Sequence, residues 1–130
     1  MISKIDPIIA VRDIPASSIW YQKLLGCHSM HGGNEFDILV SQGGEILMCL
    51  HRWGTDSHPT MIDQNTKAGN GLILYFRTPD LEKIRENAHL IGAKIEEEIH
   101  VNPNSTKKEF SVRDPDGYYL TITEYHEYEG

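Results

Sequence analysis

The sequence predicts an α+β fold in which two tandem βαβββ modules form a single domain. Three observations support this prediction: two helical segments each follow an apolar strand, each ends at a glycine, and each precedes three further strand-like runs. The length of 130 residues is that of one ordinary domain. We place the modules at about residues 1–52 and 70–126, joined by the loop 53–69.

The first module begins with an apolar, β-branched strand at residues 5–12. Asp13 and Pro15 suit the first turn of a helix, and apolar side chains four positions apart continue this helix to Leu25. Gly26 follows where a left-handed helix cap is expected. The three strand-like runs that follow are residues 27–31, 35–40 and 45–51.

The second module repeats this order. After a strand at residues 72–77, Thr78 is the expected N-cap and Pro79 the first residue of a helix that Gly92 ends. Residues 114–117 (DPDG) form the expected tight turn before the last strand. The three strand-like runs of this module are residues 93–100, 108–113 and 118–125.

Composition excludes several classes of partner. Twelve Lys and Arg against 19 Asp and Glu give a formal charge of -7, which disfavours nucleic acid. No apolar run reaches the length of about 18 residues that a membrane span needs, and we expect neither a span nor a signal peptide. Cys27 and Cys49 are the only cysteines, and we expect reduced, packed thiols in a cytoplasmic protein.

Two stretches carry a recognisable pattern. They are residues 7–14 (PIIAVRDI) leading to residues 18–26 (SIWYQKLLG), and residues 110–120 (FSVRDPDGYYL). Together they resemble the glyoxalase, bleomycin-resistance and extradiol-dioxygenase superfamily, also called vicinal oxygen chelate proteins. The resemblance implies that each module curls its strands into half of an open barrel. It also implies that two modules enclose a cavity and that such chains commonly form homodimers.

The resemblance also indicates where metal-using members hold their cation, usually with His and Glu from the first and last strands of each module. The corresponding residues here are Asp6, Met48, Gly71 and Thr121. Only Asp6 is a good ligand, because Met48 offers a soft thioether, glycine has no side chain and threonine offers a neutral hydroxyl. We therefore predict that the usual metal site is absent and that no cofactor is bound.

A displaced metal site is the alternative, with His51, His58, His126 or Glu124 as ligands. We expect the histidines instead to be surface or hydrogen-bonded residues. His51 stands three residues after Met48, on the opposite face of a regular strand, and His58 lies in a polar loop beside a proline.

The period of two along each strand predicts which side chains line the cavity. In the first module, we expect Asp6 and Ile8 to face the cavity from the first strand, and Met48 and Leu50 to face it from the fourth. In the second module, Ile73 and Tyr75 would face it from the fifth strand, and Tyr119 and Thr121 from the last. Arg52 and Trp53 open a long connecting segment that is either a binding loop or a simple linker. The candidate ligand-binding residues are therefore Asp6, Ile8, Met48, Leu50, Arg52, Trp53, Ile73, Tyr75, Tyr119 and Thr121.

Such a lining, largely apolar with a few polar points, suits a small organic molecule held by shape and a few hydrogen bonds. We predict a metal-free small-molecule-binding homodimer. The alternative is a lyase, isomerase or dioxygenase of the same superfamily that uses a displaced metal site, or a metal-free acid and base such as Asp6 with Tyr119 or His51. The sequence leaves open whether any reaction is catalysed.

Overall fold

The structure is a computed structural model that describes residues 4–54, 58–67 and 69–127. The chain divides into two compact units, Met1–Ala68 and Gly69–Gly130. Each unit contains one α-helix and one four-stranded mixed sheet in the order βαβββ, which confirms the predicted fold class. No helix in the described part of the chain is long and apolar enough to cross a membrane.

The first unit is built on a sheet in the strand order β1-β4-β3-β2. The edge strand β1 pairs with β4 in parallel, and the other neighbours are antiparallel. A short 3-10 helix, Pro59–Met61, lies in the connecting segment, and residues 55–57 and 68 of the predicted loop lie outside the described residues. The other elements are β1 (Ile8–Val11), α1 (Ile14–Leu25), β2 (His28–Ser29), β3 (Phe36–Val40) and β4 (Ile46–Arg52).

Helix α1 starts and stops where the sequence predicts. The Asp13 carboxylate accepts a hydrogen bond from the backbone N–H of Ala16 at 3.0 Å, and Pro15 occupies the first turn. At the other end Gly26 adopts a φ of +71°, and its N–H bonds to the carbonyl of Gln22. Both helix ends therefore have partners for otherwise unpaired backbone groups.

The second unit repeats the plan with the strand order β5-β8-β7-β6, in which β5 and β8 are the parallel pair. Its core lies between helix α2 and one face of this sheet, where Phe110, Leu120 and Ile122 are almost fully buried. The elements are β5 (Leu74–Thr78), α2 (Leu81–Leu90), β6 (Lys94–Val101), β7 (Lys108–Arg113) and β8 (Tyr119–Glu124).

The prediction that Thr78 caps α2 is wrong. Thr78 is the last residue of β5, paired with Glu124, and its carbonyl accepts the N–H of Tyr125 at 2.9 Å. The N-cap is Asp80, whose side chain makes no capping bond, and the Thr78 hydroxyl instead accepts the N–H of Asp80 at 3.0 Å. Strand pairing thus moves the helix start two residues along the chain.

The predicted turn before the last strand is confirmed. The Asp114 carboxylate accepts the backbone N–H groups of Asp116 at 2.9 Å and Tyr118 at 2.8 Å. Gly117 has a φ of +94°, a conformation that residues with a Cβ rarely adopt. This turn joins β7 to β8 and fixes their register.

Candidate functional site

Helix α1 covers one face of the first sheet, and the register identifies that face. Leu50 is paired with Ile9 on one side and with Asp37 on the other, and paired residues point to the same side of a sheet. The Asp37 carboxylate accepts the hydroxyl of Ser18, a residue of α1, at 2.6 Å. Ile9, Leu50 and Asp37 therefore point toward the helix.

The prediction that Met48 and Leu50 share a face with Ile8 is wrong. Ile8 is paired with Cys49, which shifts the inward positions of β4 by one residue. Met48, paired with Leu39, is 5% exposed and Leu50 is 0% exposed, both on the face that α1 covers. Strand β4 is buried on both faces, so its apolar run has no alternation from which the correct phase could be read.

The face of the first sheet opposite α1 carries a row formed by Ala10, His51 and Phe36, from three neighbouring strands. Ala10 and His51 are buried there, and Phe36 is half-buried. Ring contacts extend this row, with centroids of Phe36 and His51 6.2 Å apart and those of His51 and His58 4.9 Å apart. The His31 ring meets Phe36 at 5.4 Å. All three contacts are close to perpendicular. We call His31, Phe36, His51 and His58 the imidazole cluster.

His51 lies on the sheet face opposite Met48 and is hydrogen-bonded, as the sequence predicts, and it is 9% exposed. Its Nδ1 lies 2.9 Å from the carbonyl oxygen of Arg52. A carbonyl only accepts hydrogen bonds, so Nδ1 is the donor in this contact.

Cys49 lies on this face beside Ile8 and is 8% exposed. Burial raises the pKa of its thiol, and the negative charges of Asp6 and Asp37 raise it further. Burial likewise raises the pKa of the Cys27 thiol to about 11. Both cysteines are free and buried, as predicted, and neither has the low pKa of a nucleophilic thiol.

Asp6 precedes β1 and is exposed, with its carboxylate 3.7 Å from the Lys4 ammonium group. Ile8, the first residue of β1, is 48% exposed on the face opposite α1. At the end of β4 the N–H of Arg52 bonds to the carbonyl of Glu35, and the N–H of Trp53 bonds to that of Val11. A role for Arg52 or Trp53 in binding stays a prediction.

Helix α2 likewise covers one face of the second sheet. The Arg85 guanidinium, from α2, lies 5.9 Å from the centroid of the Phe110 ring, which marks the helix-covered face. Phe110 is paired with Ile122, so Ile122 points to this helix-covered face as well. Thr121 is adjacent to Ile122 in β8 and is paired with Tyr75, so Thr121 and Tyr75 point to the opposite face.

Tyr119 belongs to the same face as Tyr75 and Thr121, as predicted. Its ring lies 4.8 Å from the guanidinium of Arg113. The Thr121 hydroxyl is 2.9 Å from the Ser111 hydroxyl, and Thr121 is only 4% exposed. Ile73 stands just before β5, outside the paired strands, and is 58% exposed. Tyr75, Tyr119 and Thr121 therefore share one face of this sheet.

A cavity of about 880 Å³ lies at one end of the second unit. Tyr75 forms part of its wall, and the ring of His126 lies 6.2 Å from the Tyr75 ring. Glu124 does not line this cavity; its carboxylate accepts the N–H of Lys108 at 2.7 Å. The lining residues are Tyr75, Asn102, Asn104, Ser105, Thr106, Lys107, Tyr125, His126 and Glu127.

The residues at the usual metal positions do not fit a divalent cation. Met48 lies under α1, Gly71 has no side chain, and the Thr121 hydroxyl is engaged with Ser111. The corrected register substitutes Cys49 for Met48 and adds only a thiol of raised pKa. Among the described residues, no three His, Cys, Asp or Glu side chains are grouped closely enough to hold a metal ion.

The sequence profile of the Glyoxalase/Bleomycin resistance protein/Dioxygenase superfamily matches residues 4–122. No curated protein matches the chain. Among solved structures, an integron cassette protein from V. cholerae is 27% identical with a TM-score of 0.71, over 97% of this chain and 98% of that chain.

Two further structures share the fold. The bleomycin resistance determinant encoded on the transposon Tn5 is 16% identical with a TM-score of 0.69, over 97% of this chain and 100% of that chain. Lactoylglutathione lyase from Agrobacterium tumefaciens is 16% identical with a TM-score of 0.68, over 94% of this chain and 92% of that chain. With two βαβββ units and a profile match over most of its length, the chain belongs to the Glyoxalase/Bleomycin resistance protein/Dioxygenase superfamily.

Proposed function

We propose that the chain is a homodimer that binds a small organic molecule without a metal cofactor. The observation that carries the proposal is the chemistry at the four usual ligand positions. A catalytic divalent cation needs three or four convergent nitrogen or oxygen donors. These positions offer one exposed carboxylate, Asp6, one hydroxyl already bonded to a neighbour, Thr121, a buried thioether and a glycine.

Binding itself is supported by the cavity of about 880 Å³, because small-molecule sites commonly enclose about 300–1,000 Å³. Its wall combines the aromatic faces of Tyr75 and Tyr125 with amide and hydroxyl groups from the turn between β6 and β7. Lys107 and Glu127 place opposite charges on the same wall. This combination suits an uncharged or zwitterionic organic molecule better than a strongly anionic one.

The homodimer is supported by apolar residues at the two edge strands that open the units. Ile8 in β1 is 48% exposed, and Ile73, next to β5, is 58% exposed. Exposed apolar residues beside unpaired strand edges are typical of surfaces that associate. We further propose a cytoplasmic location, supported by two free, buried thiols, and no nucleic-acid partner, supported by the net charge of -7.

Metal content separates this proposal from a displaced metal site. Tag-free protein is incubated in turn with zinc, nickel, iron, manganese and cobalt, freed of excess ion, and analysed by plasma mass spectrometry. We expect essentially no retained ion, because a site needs several convergent donors. About one tightly held ion per subunit would overturn the metal-free part of the proposal. Light scattering on the same samples gives the mass, for which we expect twice 14.8 kDa.

A thermal-shift screen of small organic molecules, with and without a chelator, tests the binding part. We expect hits whose affinity is unaffected by the chelator and falls at least about tenfold when Tyr75 and Tyr125, the aromatic residues of the cavity wall, are replaced together by leucine. Leu90→Ala is the control, since Leu90 is 70% exposed on α2, outside the cavity. Unchanged affinity in the double variant would remove the cavity of the second unit from the proposal.

The position of His51 favours one alternative, a metal-free enzyme of the lyase or isomerase type. With Nδ1 of His51 donating to the Arg52 carbonyl, Nε2 is the ring atom that can take a proton from a carbon acid. Each screening hit is therefore incubated with protein in D2O and followed by proton NMR. If the signal of a carbon-bound hydrogen is lost with the wild-type chain and is kept with His51→Phe, proton transfer by His51 is established. Spectra that stay unchanged with the wild-type chain would favour binding alone.

A further inference from the structure

We propose that Asn70 is a site of spontaneous covalent modification, at which the native chain loses ammonia from the side-chain amide and forms aspartate and isoaspartate. Asn70 is followed by Gly71, and both are exposed in the turn of residues 69–72 at the start of the second unit. Neither residue lines the cavity of this unit. The inference therefore goes beyond small-molecule binding and does not depend on it.

The chemistry needs only these two residues and water. The backbone nitrogen of Gly71 attacks Cγ of Asn70, the new C–N bond closes a five-membered succinimide, and the bond from Cγ to Nδ2 breaks. Ammonia leaves with the proton of the backbone nitrogen. Water then opens the ring at one of its two carbonyl groups. Opening at Cγ leaves aspartate, whereas opening at the main-chain carbonyl leaves isoaspartate, whose main chain runs through the former side chain.

The attacking nitrogen is accessible. Gly71 carries no side chain, and a Cβ built on it would meet no heavy atom of the described residues within 4 Å beyond its chain neighbours. No described residue accepts a hydrogen bond from the Gly71 N–H, and none bonds to the Asn70 amide. Neither reacting group therefore has to break a contact with these residues before the ring can close.

The comparable positions elsewhere in the chain are protected. Asp116 is also followed by a glycine, but the N–H of Gly117 donates to the carbonyl of Asp114 at 3.0 Å, so its nitrogen is engaged. The other asparagines each precede a less reactive nitrogen: it is hydrogen-bonded after Asn65 and Asn104, belongs to a proline after Asn102, lies within α2 after Asn87, and carries the bulk of Glu35 after Asn34. The structure therefore favours Asn70 alone.

Isoaspartate at this position breaks the turn. The N–H of Leu72 donates to the carbonyl of Gly69 at 3.0 Å, and one more methylene group in the main chain between them separates the two atoms. Gly69 has little room to compensate, because an added Cβ on it would lie 2.6 Å from the Tyr118 ring. Tyr118 is 5% exposed and directly precedes β8, the partner of β5. The modification therefore loosens the chain that leads into β5.

Peptide mapping of the full chain tests the modification. Protein is held for days at neutral pH, folded or in urea, then digested and analysed by mass spectrometry, in which deamidation adds about 1 Da. We expect the rate at Asn70 in the folded chain to lie within about fivefold of the rate in urea, because an exposed turn needs little opening. A folded rate lower than this would overturn the proposal.

Asp116 is the internal control, because it forms isoaspartate through the same ring but precedes an engaged nitrogen. Labelling by an isoaspartate methyltransferase should show its reaction to be more than about fivefold slower in the folded chain than in urea. Equal protection of Asp116 and Asn70 would overturn the structural argument. Asn70→Gln keeps the amide but would need a six-membered ring, and it is expected to abolish labelling at position 70.

The variant Asn70→Asp separates the effect of charge from that of the longer main chain. Ion-exchange chromatography isolates the modified chain, which carries one more negative charge than the -7 of the sequence. This fraction contains both products, and we expect it to unfold at a lower urea concentration than Asn70→Asp, which represents the aspartate product alone. Equal urea midpoints would overturn the loosening of the chain before β5.

Discussion

Replacing Asp37 with alanine is expected to destabilise the first unit by about 3 kcal/mol. Asp37 lies in β3 and is 1% exposed. Its carboxylate joins three elements, because it accepts the hydroxyl of Ser18 in α1 at 2.6 Å and that of Ser29 in β2 at 2.7 Å. It also accepts the backbone N–H of Gly32 at 2.7 Å and of Ile38 at 2.8 Å.

The magnitude follows from how exposed each donor is. Ser18 is 4% exposed, so its hydrogen bond to a charged group is worth about 2 kcal/mol. Ser29 is exposed and Gly32 half-buried, so water replaces much of the lost bonding, and these two contribute about 0.5 kcal/mol each. Asp37→Asn is expected to cost about half as much, because its amide can donate to both serine hydroxyls but lacks the charge.

The effect of pH has a definite sign. Burial alone would raise the pKa of Asp37, but the hydrogen bonds from Ser18, Gly32, Ser29 and Ile38 outweigh it, and the pKa lies below its ordinary value. The stabilisation is therefore fully present above the unfolded pKa of about 3.9 and is lost as the pH falls through the lower folded pKa. The difference in stability between the wild-type chain and Asp37→Asn should shrink on acidification.

Urea unfolding followed by tryptophan fluorescence measures this, because both tryptophans, Trp20 and Trp53, belong to the first unit. Wild type, Asp37→Ala and Asp37→Asn are compared near pH 7 and near pH 3. Asp80→Asn is the control, since the Asp80 side chain makes no capping bond and is exposed. A loss below about 1 kcal/mol in Asp37→Ala, or a wild-type to Asp37→Asn difference that is constant with pH, would refute the reasoning.

Three further outcomes are expected. Because burial raises the pKa of Cys27 to about 11, iodoacetamide should modify this thiol slowly in the native chain near neutral pH and rapidly in urea, as read by mass spectrometry. Gly69→Ala should lower stability by about 2 kcal/mol, because Gly69 has a φ of +73° and an added Cβ would lie 2.6 Å from the Tyr118 ring; an unchanged urea midpoint would contradict this. The Arg85 hydrogen bonds lower the pKa of Glu98 to about 2, and carbon NMR should find it near its ordinary value of about 4.3 in Arg85→Gln. A Glu98 pKa that stays low in that variant would assign the shift to another cause.

The elements of the fold could be predicted because local chemistry marks their ends. The ends of α1 are set by Asp13, which accepts a backbone N–H of the first turn, and by Gly26, whose N–H bonds to the last turn. Pro15 has no N–H that would need a partner. Each of these effects acts within a few residues of its own position. The cap at Thr78 was predicted wrongly because it was inferred from neighbouring residues alone. Its pairing partner Glu124 lies far along the chain, and a strand bond took precedence over a capping bond.

The side chains of the first sheet that lie on the face opposite α1 were harder to predict. An apolar run such as residues 46–50 carries no period of two when a strand is buried on both sides. His51 could have indicated which residues of β4 share the face opposite α1. Counting back by two from this polar residue reaches Cys49, which lies on the same face as His51. The polar residue of the neighbouring strand β3 would have indicated the opposite assignment, because Asp37 faces the helix, where it accepts a hydrogen bond from Ser18. In the second sheet, the polar residues Tyr119 and Thr121 alternate with the apolar residues Leu120 and Ile122, and the shared face of Tyr119 and Thr121 was predicted correctly.

The parallel pairing of the first strand of each unit determines an order of folding. Ile8 meets Cys49 across 41 positions of chain, and Leu74 meets Leu120 across 46, whereas the β3–β4 hairpin closes between Val40 and Ile46. Closing the longer loops costs about 3 kcal/mol of chain entropy, about twice the cost for the hairpin. Each unit should therefore form its antiparallel hairpin first and receive its leading strand last, so that within each unit the strand synthesised before the hairpin becomes ordered after it.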